Sequence, residues 1–264
     1  MLEGYSGATR LIPIVGDPIA QVKSPKGLTR AFEAAGHDII VVPVQVAPDD
    51  IADFFRTADR VRNMDGLIAT IPHKFAMLAH ATTVSDRARL LGSANVMRRT
   101  PAGWHGDMLD GLAFVAAIAE AGCKVAGARA LLVGAGGAGS AIGLALLEAG
   151  AAHLAVHDAD AARRDALLKK LDGAYPGRLS IGSPDPAGFD IVANATPSGM
   201  REGDVPPVLL DRLQPSMFAG DVITAPEITP FLEAARAKGC RIQTGVGMFD
   251  ANTVLMLDFF TRPA

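Results

Sequence analysis

The residues whose types and spacing most clearly imply chemistry are Gly134, Gly136 and Gly139, a G-x-G-x-x-G series inside G-A-G-G-A-G with Ala135, Gly137 and Ala138. Such a series binds a pyrophosphate. The first glycine permits a tight turn, the second lets backbone approach the anion, and the third lets a helix pack close to the preceding strand with its N-terminus facing the charge. The spacing alone is weak evidence in a chain with 28 glycines. Its flanks give it force. Leu131-Leu132-Val133 suits a strand buried on both faces, and an Ala/Leu-rich helical stretch runs on to Gly150. A second apolar run, Leu154-Ala155-Val156, ends in His157-Asp158, which puts Asp158 about 24 residues beyond Gly134. That is near the spacing at which an acid meets a ribose 2′-OH. A dinucleotide site follows, with His157 beside the adenosine.

Two titratable residues stand at comparable places. Lys74 comes just after a strand and Pro72, so it can project from a strand end, and Asp110 opens a helix. A lysine and an aspartate so placed are common, and by themselves they assign no reaction. The six histidines are scattered and show no metal-ligand spacing, so no metal is expected. Cys123 and Cys240 form no framework of pairs, which suits a reducing cytoplasm. A net charge of -3 gives no reason to expect nucleic acid or an anionic membrane as partner. Apolar segments are broken well before the length of a membrane span, and the first ten residues have no signal-peptide run.

The elements that must position these groups alternate. Residues 11–16 and 39–46 read as strands, with a helix from Ser24-Pro25 between them, Ser24 as its N-cap. Pro48-Asp49-Asp50 opens an amphipathic helix bearing Ile51, Phe54, Phe55 and Ala58. A strand at 66–69, helical residues at 75–90, a strand around Gly92–Val96 and a hairpin near Thr100–Gly103 complete the first half. Met64, Phe75, Met77 and Phe114 read as core, and His73 and His105 as bystanders. From Asp107 a helix leads into the glycine loop and βα alternation continues, with strands at 129–134, 152–157, 178–182, 189–193, 217–222 and 240–244. Such alternation argues a parallel, doubly wound sheet. The fold class is therefore α/β, with two domains and a cleft between them. The first covers residues 1–106, completed by an apolar helix at 247–264. The second, a Rossmann-type dinucleotide-binding domain, covers 107–246.

Several short motifs occur in a fixed order. They are G-D-P-I-x5-S-P from Gly16, A-T-I-P-x-K to Lys74, G-S-A-N to Asn95, and G-D-x-x-D-G from Gly106. The glycine loop follows, then N-A-T-P-x-G-M from Asn194 to Met200, Asp221, Thr229-Pro230 and G-M-F at 247–249. Together they resemble the shikimate dehydrogenase family along nearly the whole chain. The resemblance implies reversible hydride transfer between a nicotinamide and a ring hydroxyl of shikimate or a related cyclic hydroxy acid. It implies that Lys74 and Asp110 are the catalytic pair. Asn95 matches a substrate contact, and Ser24, Thr70, Val22, Met108, Thr224 and Asn252 stand at substrate-binding positions. Asn194, Ala195, Thr196 and Met200 match a loop along the nicotinamide, with Val222, Gly245 and Met248 as further cofactor contacts. The chemistry agrees: oxidising a secondary alcohol requires a group that takes its O–H proton as hydride leaves carbon. In reduction an ammonium donates that proton directly.

The sequence also departs from the family. Val22 stands where the family has the first of two carboxylate-gripping serines, and Ile68 where asparagine is common. Met108 and Leu109 replace Asn-Thr, Thr224 a frequent tyrosine, and Asn252 a glutamine. A lost hydrogen bond to a charged group costs about 1.5–3 kcal/mol, so the losses raise quinate or another shikimate-like acid as alternative substrate. A non-catalytic NAD-binding regulator is the other alternative. NAD is expected over NADP, because a carboxylate at Asp158 accepts from a 2′-OH and repels a 2′-phosphate, with Arg163 and Arg164 softening the bias. The partner is a small cyclic hydroxy acid, and the protein a monomer or homodimer.

Overall fold

The computed structural model describes residues 4–20 and 22–262. The chain separates into two compact units, Met1–Leu109 with Thr253–Ala264, and Asp110–Asn252.

The first unit carries β1 (Arg10–Gly16), α1 (Ser24–Ala34), β2 (Ile39–Gln45), α2 (Ile51–Ala58), β3 (Gly66–Ala69) and α3 (Lys74–His80). It continues with β4 (Thr83–Val84), α4 (Asp86–Leu91), β5 (Val96–Thr100) and β6 (Gly103–Asp107). Its sheet runs β2-β1-β3-β5-β6-β4. The first three strands are parallel and β5 is antiparallel to both β3 and β6. β1 is buried along most of its length because it is an interior strand with no face turned to water, and its sequence is accordingly almost all apolar. Phe55, Leu67, Met77, Met97 and Trp104 meet in one core cluster. Phe260, near the chain's end, lies so close to Gly66 that a Cβ there would come within 2.4 Å of its ring.

The second unit holds α5 (Asp110–Glu120), β7 (Arg129–Val133), α6 (Gly137–Glu148), β8 (His153–His157), α7 (Ala161–Asp172) and β9 (Leu179–Ile181). β10 (Ile191–Asn194), β11 (Phe218–Asp221), α8 (Pro230–Ala237) and β12 (Arg241–Gln243) complete its sheet, and α9 (Gly245–Thr261) spans the boundary between the two units. The sheet is parallel throughout, in the order β12-β11-β10-β7-β8-β9. Numbered from β7, this is the 3-2-1-4-5-6 order of the doubly wound dinucleotide fold, with its switch point between β7 and β10. α6 is apolar nearly all round because it is enclosed, with Ile142 through Leu147 buried. α5 packs against it at van der Waals limit, since a Cβ on Gly111 would stand 2.0 Å from the carbonyl oxygen of Ala141.

The structure corrects several local expectations. Ser24 is the first residue of α1, not its cap. Lys23 occupies the cap position with helical dihedrals and no side-chain cap, and Pro25 removes one of the donors a cap would serve. Phe75 is 61% exposed, whereas Met64, Met77 and Phe114 are core. The stretch expected to be helical at 75–90 is two helices separated by the short strand β4. Gly92 is the left-handed C-cap of α4, so the strand there starts only at Val96. The βα alternation lapses twice, because no α-helix intervenes between β9 and β10 or between β10 and β11.

Candidate functional site

In the first unit, β3 ends beside β1, and Thr70 N–H donates to Val15 O at 2.9 Å. The chain then turns through Ile71-Pro72-His73 into α3, whose first residue is Lys74. The turn is pinned from inside: His73 is buried, its backbone N–H donates to Thr70 O, and its Nε2 lies 2.7 Å from Val46 O. Lys74 O accepts from Ala94 N–H at 3.0 Å, which ties the lysine's backbone to the segment carrying Asn95. Asn95 is buried, and its Oδ1 accepts from Leu109 N–H at 2.8 Å. Thr70, Lys74 and Asn95 are thus brought together on the strand ends of one sheet. Val22 and Ser24 lie at the entry to α1, both partly buried, and Met108 is fully buried. Asp107, to which no role was given from sequence, fixes this corner. Its Oδ1 accepts from Met108 N–H at 2.7 Å and from Ser85 Oγ, and pairs with Arg87 Nε at 3.0 Å.

In the second unit, Asp110 is the first residue of α5 and 7% exposed. Its charge suits the positive end of the helix. Asn252 Nδ2 donates to Asp110 Oδ1 at 3.3 Å, while Asn252 Oδ1 is buried and meets no donor among the described residues. A buried acceptor left this way costs about 1–3 kcal/mol until something donates to it.

The glycine turn follows β7. Gly134 has φ +99, a conformation that excludes side chains, and its N–H donates to His157 O at 2.8 Å. Ala135 N–H donates to Asp158 Oδ2 at 2.7 Å, so the acid that ends β8 braces the turn directly. Asp158 Oδ1 accepts from Asp160 N–H at 2.8 Å, and Arg163 Nη1 stands 3.8 Å from Oδ2. Gly139 lets α6 close on the turn: a Cβ there would lie 1.9 Å from Gly134 O. Gly136 instead faces open space, with nothing within 4 Å of an added Cβ. This cradle fits a dinucleotide pyrophosphate, being a bare backbone with a helix N-terminus behind it.

Across the switch point, Ala195 N–H donates to Val133 O at 2.7 Å, and Asn194 Oδ1 accepts from Thr196 N–H and Oγ1. Met200 is exposed, Val222 N–H donates to Asn194 O at 3.2 Å, and Gly245 packs on Ile223, where a Cβ would meet a carbonyl oxygen at 2.2 Å. Met248 is buried and Thr224 partly so. Asp221, the last residue of β11, is fully buried, with its pKa pushed up to about 6 by burial, against the pull of donors from Thr229, Ile223 and Asn194.

That shift has a consequence for stability. A carboxyl whose folded pKa exceeds its unfolded value binds its proton more tightly when folded. Its burial therefore costs little below about pH 4 and costs up to about 3 kcal/mol above pH 6. Asp221→Asn removes this cost. Urea unfolding should show the variant gaining on the native protein by about 2–3 kcal/mol between pH 4 and pH 7. Parallel pH profiles would show that Asp221 does not titrate in that window.

A parallel sheet in this order, with a glycine turn at its switch point and an acid just past its second strand, defines a dinucleotide-binding fold. It shares the chain with a second, mixed α/β unit. The family model described as the shikimate dehydrogenase substrate binding domain matches residues 14–97. The shikimate dehydrogenase (NADP(+)) of Geobacter metallireducens is 32% identical over 265 residues, covering 97% of this chain and 92% of that protein. The chain belongs to the shikimate dehydrogenase family. Among solved structures, the ligand-free 5-ketofructose reductase of Gluconobacter sp. strain CHM43 superposes with a TM-score of 0.87 at 28% identity, covering 96% of this chain and 93% of that one. The quinate dehydrogenase of Corynebacterium glutamicum in complex with NAD gives a TM-score of 0.87 at 26% identity, covering 96% and 94%.

Proposed function

We propose that this protein catalyses reversible hydride transfer between NAD(P) and a ring hydroxyl of shikimate or a close cyclic hydroxy acid, giving the corresponding dehydro acid. The unit containing Lys74 holds the acid and the unit containing the glycine turn holds the dinucleotide. The bound nicotinamide supplies or accepts the hydride. In reduction the Lys74 ammonium donates its proton to the carbonyl oxygen, and in oxidation the amine takes the hydroxyl proton back. Asp110 is the carboxylate partner that the family's motifs pair with this lysine, and Asn252 Nδ2 donates to its Oδ1 and orients it. What supports the reading is 32% identity to a shikimate dehydrogenase over 97% of this chain, together with Lys74 and Asp110 standing in the T-I-P-x-K and G-D-x-x-D-G motifs of its sequence.

NAD is the preferred cofactor in this reading, although the Geobacter metallireducens relative is named for NADP(+). Support comes from the carboxylate of Asp158 at the end of β8, where a 2′-phosphate would meet like charge. Arg163, 3.8 Å from that carboxylate, is partly neutralised by it. Two unpaired cysteines suit a cytoplasmic setting.

A second reading is favoured by Val22 and Thr224, which offer less to a carboxylate than the serine and tyrosine usual there. On that reading the substrate is a neutral hydroxy ketone, the class named for the Gluconobacter structure. Steady-state turnover on shikimate, quinate, simpler ring acids and 5-ketofructose, each with NAD and NADP, separates the two. Turnover on a ring acid with kcat/KM at least about tenfold higher for NAD is expected. Turnover confined to 5-ketofructose would replace the substrate assignment, and a ratio favouring NADP would overturn the cofactor preference. Tight NAD binding without turnover on any of them would make the protein a regulator.

A further inference from the structure

We propose that Asp221 is a positioning residue for the nicotinamide end of the dinucleotide, acting by tying the loops after β10 and β11 into one rigid ledge. The proposal rests on the dinucleotide-binding reading of the second unit.

Asp221 is 0% exposed and lies at the C-terminal end of β11. Burying a carboxylate is costly, and an apolar side chain would fill the place more cheaply if packing were all that mattered. What the carboxylate gains is a set of neutral donors from separate segments. Oδ1 accepts from Asn194 Nδ2 at 3.2 Å and from Ile223 N–H at 3.0 Å, and Oδ2 accepts from Thr229 Oγ1 at 2.7 Å. Each donor extends the network. Thr229 caps α8 by accepting from Leu232 N–H, and Asn194 passes the tie onward through Thr196 and through Ser198 O. Two loops that share no stretch of sequence are thereby held at fixed separation by one side chain.

The place of this ledge shows what it serves. In a doubly wound sheet the ligand lies outside the carboxyl ends of the strands, at the switch point. The β8 side, with Asp158, receives the adenosine half, which leaves the ends of β10 and β11 for the other half. The ledge also touches the glycine turn: a Cβ on Gly134 would stand 2.8 Å from Thr196 Cγ2 and 2.9 Å from Ala195 O. Displacing Asn194 therefore shifts the floor on which the second half of the ligand rests, while Asp158 and its bond to Ala135 stay in place.

The test compares two ligands on the full-length protein. ADP-ribose carries the adenosine, the pyrophosphate and the second ribose but no nicotinamide, and reduced dinucleotide, followed by nicotinamide fluorescence, adds the ring. Asp221→Leu keeps bulk but removes all three bonds. Asp221→Asn keeps the acceptor on the Asn194 side, and its amide donates to Thr229 Oγ1 once that hydroxyl turns. For Asp221→Leu, affinity for reduced dinucleotide should fall about tenfold and affinity for ADP-ribose should stay within about twofold. Asp221→Asn should match the native protein for both. Should Asp221→Leu fail to fold, Thr229→Val should show the same selective weakening at about threefold. Equal weakening of both ligands would reveal general loosening and overturn the proposal, as would no weakening of either, or an Asn variant as impaired as the Leu variant. A native protein that bound neither ligand would overturn the dinucleotide reading itself, a result distinct from a defect confined to the variants.

Discussion

Replacing Lys74 with alanine should lower turnover about 10²–10⁴-fold while leaving the protein as stable as before, or slightly more so. The size of the kinetic effect is that of a positioned general acid or base. The stability half of the expectation comes from the helix it opens. Lys74 is the first residue of α3, at the positive end of the helix, where a cation is disfavoured by about 0.3–1 kcal/mol. Alanine removes that repulsion and is the better helix former. His73 and the bond from Ala94 N–H to Lys74 O hold the turn through groups the substitution does not touch. A fall in turnover with an unchanged or higher Tm therefore isolates the ammonium from the fold. Lys74→Arg extends the test: arginine keeps the charge but cannot release its proton, so it should not restore the rate. A loss below tenfold in the alanine variant, or recovery with arginine, would remove Lys74 from proton transfer and leave it an electrostatic contact.

How much of this was legible beforehand depended on how local each signal is. The glycine turn was legible because its causes sit within six residues: Gly134 needs a positive φ, and Gly139 faces the Gly134 carbonyl. Asp158 was legible because the βαβ unit fixes its distance from the turn, though its bond to Ala135 N–H was not. Short elements failed for a corresponding reason. α3 has only seven residues, too few for a periodic pattern to set its phase, so Phe75 and Met77 looked alike although one is exposed and the other buried. β4 has two residues and exists only because β6 pairs with it. The tie from Asp221 to Asn194 joins residues 27 apart, and the one to Thr229 joins residues 8 apart. Nothing in either local sequence marks such a partner. Asp221 and Thr229 were visible as members of a motif, but their function as one network was not.

The two glycines of the turn should fail in opposite ways, and the contrast separates fold from ligand. Gly136→Val should leave Tm within about 2 °C of native and weaken ADP-ribose binding about 100-fold. Gly139→Val should lower Tm by several degrees or prevent folding. The difference is in their surroundings. Gly139 has no room, because an added Cβ would stand 1.9 Å from the Gly134 carbonyl oxygen and 3.3 Å from Ala195 Cβ. Relieving that overlap means moving α6 away from β7, in the middle of the buried face of the sheet. Gly136 meets nothing within 4 Å, and its φ of -71 with ψ of -168 is extended backbone that any residue adopts. Neither steric crowding nor backbone conformation requires a glycine there. A requirement at that position therefore comes from outside the polypeptide: a pyrophosphate brought against the main chain has no space for a side chain between them. Calorimetric titration of ADP-ribose alongside thermal unfolding decides the matter. A Gly136→Val variant that binds ADP-ribose at native strength would mean that the anion does not lie over this turn, and the dinucleotide would have to be sought elsewhere on the sheet.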